Sequence, residues 1–214
     1  MITVKTRVDF LWEIHQLQPI VNAIEIGTLN GDFAMKILSI LRPEHLVLID
    51  PFETADKEYA SGQKTVYSSK EDFNTVTKRF EDEILSGRIQ LIADYSYNAH
   101  KLLIDGFYDF IYIDGSHLYE DVKRDLNDYL PKLREGSILA GHDYKNIDNF
   151  GVIRAVDEFM KENNFEMVIL SGDGDFALRR NLLSKETLNI LAQRMRDGID
   201  NDILNQLKKE ATLR

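Results

Sequence analysis

The sequence predicts an α/β chain on a Rossmann-like, doubly wound, mostly parallel sheet of seven strands, closed by a C-terminal antiparallel hairpin and followed by a helical extension. Three observations predict it. Short apolar runs alternate with amphipathic stretches through most of the 214 residues, the pattern of strands joined by crossover helices. The run Ala23–Ile26 leads through Gly27-Thr28-Leu29-Asn30-Gly31 into an apolar-faced stretch, which is strand, glycine turn and helix in that order. Near the end, Ser171-Gly172-Asp173-Gly174 separates two strand-like runs, a hairpin signal that sets the last strand antiparallel to its neighbour.

The elements follow in order. Residues 7–18 read as a helix ahead of the first strand, Val21–Ile26. Over 31–41, Phe33, Ala34, Ile37, Leu38 and Leu41 share one helical face. Leu46–Ile49 is a buried-type strand stopped at Asp50-Pro51. Residues 52–68 are polar, aromatic-rich and aperiodic, and read as a loop over a site. Ser68-Ser69-Lys70-Glu71 offers a capping box, and Phe73, Val76, Phe80 and Ile84 line the helix after it. Ile89–Ala93 is a third strand, with a helix near 98–103; Phe110–Ile113 is a fourth. Leu118, Val122, Leu126 and Tyr129 line a helix ending near Pro131. Ser137–Ala140 is a fifth strand, 151–163 a helix, and Glu166–Leu170 and Asp175–Arg179 form the hairpin.

These elements fill a domain over 1–181. The remainder, 182–214, reads as helical, with Leu188, Leu191 and Met195 on one face and Ile203, Leu204 and Leu207 after a break at Asp197-Gly198. Such a stripe needs cover, from the domain itself or from a second copy in a homodimer or higher homo-oligomer.

Composition narrows the classes of function. The net charge of −10 and the lack of a Lys/Arg cluster disfavour DNA or RNA as substrate. No run approaches the ~20 apolar residues of a membrane span, and the first seven residues lack a signal peptide's apolar stretch. Cysteine is absent, which removes thiolate metal sites and Cys nucleophiles. A cytoplasmic location is the expectation.

In a sheet of this kind the C-terminal ends of the strands converge on one crevice. Glu25, Asp50, Asp94, Asp114, His142 and Asp143 all fall at predicted strand ends. One acid there is a common helix N-cap; a series over five strands is more than capping. The Gly-x-x-x-Gly spacing departs from the Gly-x-Gly-x-x-Gly of a tight pyrophosphate cradle. Asp50 suits a ribose diol, with an Asp-Pro turn as the alternative. Asp94 and Ser96 are also candidate caps of the helix that follows.

Glu25-Ile26-Gly27-x-x-x-Gly31 resembles the first motif of class I S-adenosylmethionine-dependent methyltransferases. The longer pattern Ile113-Asp114-Gly115-x-His117-x-Tyr119-x-x-Val122-x-x-Asp125-Leu126, followed by Leu130-Pro131-x-Leu133 and by Gly136-x-Ile138-x-x-Gly141-His142-Asp143-Tyr144, is more specific. It resembles methyltransferase family 24, a group related to sugar and macrolide O-methyltransferases and to cephalosporin hydroxylase-like proteins. The resemblance spans residues 20–180, and the terminal hairpin agrees with it. One departure is Glu135-Gly136, where the family often has two glycines.

The resemblance implies that the glycine turn passes close to the methionine part of S-adenosylmethionine. It implies cofactor contacts from Glu25, Gly27, Thr28, Gly31, Asp50, Asp94, Tyr95, Ser96 and Asp114, with Glu25 near the methionine ammonium and the Asp94 segment near the adenine edge. Catechol O-methyltransferase, a more distant relative, implies a metal at Asp114, His142 and Asp143. Carboxylate and imidazole ligands around an open site suit Mg²⁺, Mn²⁺ or Zn²⁺; substrate hydroxyls are the alternative occupants. His117 is a candidate general base, metal ligand or helix cap. With Asp114 and His142 it makes up the candidate catalytic set.

The expected reaction is methyl transfer to an oxygen of a hydroxylated small molecule, a sugar or secondary metabolite, with Tyr144 and Lys145 helping to cover it. The rivals are an NAD(P)-dependent oxidoreductase, a metal-dependent hydroxylase and a non-catalytic cofactor-binding module. The first expects Gly-x-Gly-x-x-Gly, which the chain lacks. The second finds little support in adjacent His142 and Asp143, and the third needs no base or metal.

Overall fold

Apolar strands and amphipathic helices alternate along a computed structural model that describes residues 1–53, 68–147, 150–181 and 193. The chain divides into two compact units, Met1–Arg180 and Asn181–Arg214. The helical stripe expected over 182–214 lies outside the described residues except Gln193, and most of the 52–68 loop lies outside them too.

The first unit begins with β1 (Ile2–Val4) and α1 (Arg7–Leu17), continues through β2 (Asn22–Ile26), α2 (Asp32–Ile40) and β3 (His45–Ile49), then α3 (Lys70–Arg79), α4 (Glu81–Leu85) and β4 (Ile89–Ile92). After α5 (Ser96–Ala99) come β5 (Tyr108–Ile113), α6 (Tyr119–Tyr129), β6 (Leu133–Gly141), α7 (Val152–Asn163) and the hairpin of β7 (Phe165–Ser171) and β8 (Phe176–Arg180). The sheet order is β1-β7-β8-β6-β5-β2-β3-β4. All pairs are parallel except those of β8 with β6 and β7. The predicted α/β class, parallel sheet and terminal hairpin are all present.

The sheet has eight strands where the sequence predicts seven. The extra one, Ile2–Val4, pairs in parallel with β7 at the edge. Three residues carry too little alternation to register as a strand, and short edge strands are common because they limit open pairing. A second difference concerns the helix after residue 68. Ser69, not Ser68, is the N-cap, and Asp72 completes its capping box. The single helix expected through Ile84 is broken at Phe80, whose φ of −116° and ψ of 26° end α3 before α4 begins.

Alternation along the strands builds two cores. Ala23, Leu46, Leu48, Phe110, Tyr112, Ile138 and Ala140 face Phe10, Ile14, Phe33, Ile37 and Phe80 on the α1–α3 side. Ile24, Ile26, Val47, Ile49, Ile111, Ile113 and Leu139 face Val122, Leu126, Tyr129, Val156 and Phe159 on the other. Strands β2 and β5 are buried along their whole length, as expected of central parallel strands covered on both faces. The strand order reverses between β2 and β5, and their C-terminal ends open the crevice that such a switch point creates.

Candidate active site at the strand ends

The turn after β2 is fixed by close packing. Gly27 has a φ of +88°, and a Cβ there would meet the Asp114 carbonyl oxygen at 2.1 Å. Gly31, at +81°, faces the Phe80 ring, which a Cβ would meet at 2.7 Å. The left-handed backbone and these approaches together demand glycine at both places. Their spacing therefore serves the contact of the turn with β5 and α3 directly.

Asp50 holds this turn from the side. It is buried and accepts hydrogen bonds from the Leu29 N–H at 2.9 Å, from the Phe52 N–H at 2.8 Å and from the Ser68 hydroxyl. Leu29 and Phe52 both adopt positive φ, 50° and 49°, a cost that the shared carboxylate offsets. Glu25 is also buried, but its Oε2 has no hydrogen-bond partner, and neither has the Thr28 hydroxyl. Burial pushes the Glu25 carboxyl well above the usual range; the neighbouring Thr28 hydroxyl, close enough to oppose the shift though outside good hydrogen-bond geometry, only partly offsets it, and the charges of Asp114 and Asp50 add to it.

Beyond β4, Asp94 accepts from the Tyr95 N–H at 2.7 Å and from Asn98 at 3.0 Å, so it braces the start of α5. Tyr95 donates its hydroxyl to Glu53 at 3.2 Å and stacks on Tyr97. Ser96 turns its hydroxyl to Asp125 at 2.6 Å.

The ends of β5 and β6 are different. Asp114, His117 and Asp143 each offer a ligand atom, and these atoms all lie within 4.8 Å of one another. His117 Nε2 lies 2.8 Å from Asp143 Oδ2, and the ring stacks on Phe150 at 4.2 Å between centroids. The His117 carbonyl accepts from the Gly151 N–H at the start of α7. Asp143 itself has a φ of +60°, a strained conformation of the kind that clusters at functional sites.

The converging trio differs from the expected Asp114, His142 and Asp143. His142 directs Nε2 at the Asp173 carbonyl, 2.9 Å away, and leaves Nδ1 at 3.2 Å from Asp143 and 3.6 Å from Asp114. Its ring is thus held by the hairpin turn, while His117 reaches in from the opposite side. Burial opposes a charge on His142, but the hydrogen bonds to Asp114 and Asp143 prevail and raise its pKa to about 9. Burial would raise Asp143; the hydrogen bonds from His117 and His142 outweigh it and hold the carboxyl well below the ordinary range.

Two participants escaped the sequence reading. Arg7 lies 2.9 Å from Asp175 and 3.4 Å from Asp114, with its guanidinium 4.7 Å above the Phe33 ring. Asp175 is fully buried and also accepts from the Tyr112 and Ser171 hydroxyls at 2.5 and 2.6 Å. Arg7 opens the helix between the edge strand β1 and the central strand β2, and Asp175 follows a hairpin turn. Neither carries a local signal that ties it to a site.

The geometry can be set beside known proteins. A methyltransferase-domain family, methyltransferase family 24, matches residues 24–144, which contain both the glycine turn and the Asp114–Asp143 cluster. The chain belongs to this family. This methyltransferase shares its fold with solved structures. An O-methyltransferase from Bacillus cereus in complex with SAH superposes with a TM-score of 0.59 at 16% identity, over 82% of this chain and 80% of that one. TomG from Streptomyces achromogenes, an O-methyltransferase involved in tomaymycin synthesis and solved with SAM, gives 0.56 at 12% identity, over 81% and 77%. A structure described as a putative rRNA-methylase from Clostridium thermocellum gives 0.55 at 15% identity, over 82% and 95%. No curated protein matches the sequence. As a class I methyltransferase the chain uses S-adenosylmethionine, and the site's residues fit that cofactor. Glu25 and Thr28 present buried polar atoms beside the glycine turn that make no geometric hydrogen bond.

Among the described residues no helix is long and apolar enough to cross a membrane.

Proposed function

We propose that this methyltransferase moves the methyl group of S-adenosylmethionine to a hydroxyl oxygen of a small hydroxylated molecule. The observation that carries the proposal is the convergence of Asp114, His117 and Asp143 beside the glycine turn. When bound, the cofactor supplies an electrophilic methyl group activated by its sulfonium. The protein's tasks are to orient the acceptor, exclude water and take up a proton.

Cofactor contacts are assigned to Glu25, Gly27, Thr28, Gly31 and Asp50, with the Asp94–Ser96 segment and Asp114 at the borders. Glu25 and Thr28 offer buried atoms in need of a donor, which suits an ammonium group. His117 is the proton acceptor. A carboxylate at its Nε2–H leaves the lone pair on Nδ1. His142, held as an imidazolium near neutral pH, is a hydrogen-bond donor and charge partner to Asp114 and Asp143 rather than a base. Arg7 and Asp175 position Asp114.

The same cluster favours a second reading, in which a divalent cation sits at Asp114, His117 and Asp143. Two carboxylates and one imidazole fit Mg²⁺ or Mn²⁺, or Zn²⁺. Such a cation supplies acidity to an acceptor hydroxyl. The chain's acidic balance favours a small acceptor over RNA.

The test is calorimetric titration with S-adenosylmethionine and NAD, followed by methyl-transfer assays on a panel of sugars, phenols and bulk RNA with EDTA, Mg²⁺ or Mn²⁺. We expect binding of the sulfonium compound, transfer to a small-molecule hydroxyl, and no transfer to RNA. Binding of NAD alone would overturn the reading. Full turnover in EDTA eliminates the cation.

A further inference from the structure

A cavity of about 460 Å³ opens beside His142, and His117 is not among its lining residues. Its walls carry an unusual concentration of cations for an acidic chain: Arg7, Lys36 and Lys145 line it together with His142, and Asp173 is the one carboxylate among the lining residues. We propose that this cavity is an acceptor subsite for an anionic group, a carboxylate or a phosphate. The inference rests on the methyl-transfer reading and sharpens it, because it says which hydroxylated molecules the enzyme selects.

The charge accounting separates these cations into two kinds. Arg7 is committed. Its guanidinium is anchored by Asp175 and Asp114 and lies over Phe33. The Asp173 carboxylate is committed too, since it accepts from the Arg7 backbone N–H at 2.9 Å. Behind the wall, Asp143 faces His117 and His142. Lys36 and Lys145, by contrast, are half-buried, and no described carboxylate lies within ion-pair distance of either. Asp32, one turn before Lys36, feels the Lys36 charge but makes its contact ion pair with Arg79. Acids outnumber bases 36 to 26 in this chain, so two lysines on one cavity without a contact ion pair are available to a ligand's charge.

Lys145 is also pre-positioned. Its stem runs over Gly174, where a Cβ would meet Lys145 Cε at 2.4 Å and Cγ at 2.8 Å. The glycine forms a slot for the methylenes, and the adjoining Tyr144 N–H donates to the Gly174 carbonyl at 3.0 Å. A stem confined in this way loses less rotamer entropy when its ammonium engages a ligand. The cavity adjoins His142, whose Nδ1 is 3.6 Å from Asp114. An acceptor anchored there by its anion therefore presents its remaining hydroxyls toward the Asp114 cluster.

Inorganic phosphate tests the site without knowledge of the acceptor. It is titrated into the ¹⁵N-labelled full chain at constant ionic strength, with amide shifts as readout, and S-adenosylmethionine binding is measured on the same samples. The expected result is saturable shifts at Lys36, Lys145 and Gly174. Affinity should fall about fivefold in each of Lys36→Met and Lys145→Met, the scale of one partly exposed charge contact. Lys145→Arg should retain most of the binding. Absence of saturable shifts at these residues overturns the proposal, as does phosphate binding undiminished in both methionine variants. Loss of phosphate binding with S-adenosylmethionine binding intact removes this subsite alone. Phosphate binding without S-adenosylmethionine binding keeps the subsite and removes the methyl-transfer reading.

Discussion

The two sides of the crevice begin from the same sequence device, an acid where a parallel strand ends, and put it to opposite uses. On the β2–β3 side, Asp50 accepts from the Leu29 and Phe52 N–H groups and the Ser68 hydroxyl, and Gly27 and Gly31 are fixed by packing. On the β5–β6 side, Asp114 and Asp143 face His117, His142 and Arg7, and their partners are side chains with chemistry of their own. A strand-end carboxylate surrounded by backbone donors becomes scaffold. One surrounded by titratable side chains is the candidate for a reaction centre. Position alone does not choose between them; the neighbours do.

The comparison breaks most visibly at Asp114. On the proposed reading, Asp114→Ala should reduce methyl transfer by about a thousandfold, the range for loss of a group that supports proton transfer or charge stabilisation. Affinity for S-adenosylmethionine should change by no more than about threefold, since Asp114 stands at the border of the cofactor's contacts. Equal loss of binding and turnover would move Asp114 to the scaffold side.

Gly27→Ala attacks the seam between the two sides. The new methyl group meets the Asp114 carbonyl at 2.1 Å and sits on a backbone at φ +88°. The expected cost is about 3 kcal/mol, from overpacking against backbone plus left-handed strain. Thermal unfolding measures it. A stable Gly27→Ala protein with intact cofactor binding would mean that the turn does not rest on β5.

Asp50→Ala tests the scaffold side by itself. Removal of a buried acceptor leaves the Leu29 and Phe52 N–H groups without a partner, at roughly 2 kcal/mol. S-adenosylmethionine affinity should fall at least about tenfold. Asp50→Asn should recover part of the stability, because one oxygen still accepts, but less of the affinity.

Much of this was legible in the sequence. Helix and strand periods, the glycine turn and the hairpin dipeptides place nearly every element, because each is a local signal. The strand-end series also marks the crevice, because topology brings strand ends together whatever the loops do. Longer-range facts were hidden. Arg7 reaches Asp114 and Asp175 across 107 and 168 residues of chain, and no local pattern encodes such a pairing. That His117 joins Asp114 and Asp143 while His142 also bonds the Asp173 carbonyl is set by the loop and hairpin positions, not by any local pattern. Strand β1 was too short to alternate. The glycines were found, but the reason for them, a backbone approach from β5, needed the fold.

The smallest effect concerns Asp125, an acid buried under the loop after β5 that belongs to neither side. Its side chain accepts a hydrogen bond from the Ser96 hydroxyl at 2.6 Å. Burial raises its pKa to about 7, and the Ser96 hydrogen bond only partly opposes this. The sign follows from linkage. Below the ordinary Asp range, folded and unfolded chains both hold the proton and there is no penalty. As pH rises from there through about 7, the unfolded chain releases its proton first, so the folded state loses stability; above about 7 the loss is constant. Asp125→Asn keeps the acceptor for Ser96 and has no proton to lose. It should therefore be more stable than the parent at pH 8 by about 1 kcal/mol, well below the full linkage value once relaxation around the buried charge is allowed for. The gain should shrink to nothing near pH 4, as read by denaturant midpoints across that range. A gain equal at both ends would show that the residue is already ionised in the fold, and would place Asp125 among the charged groups of the β5–β6 side.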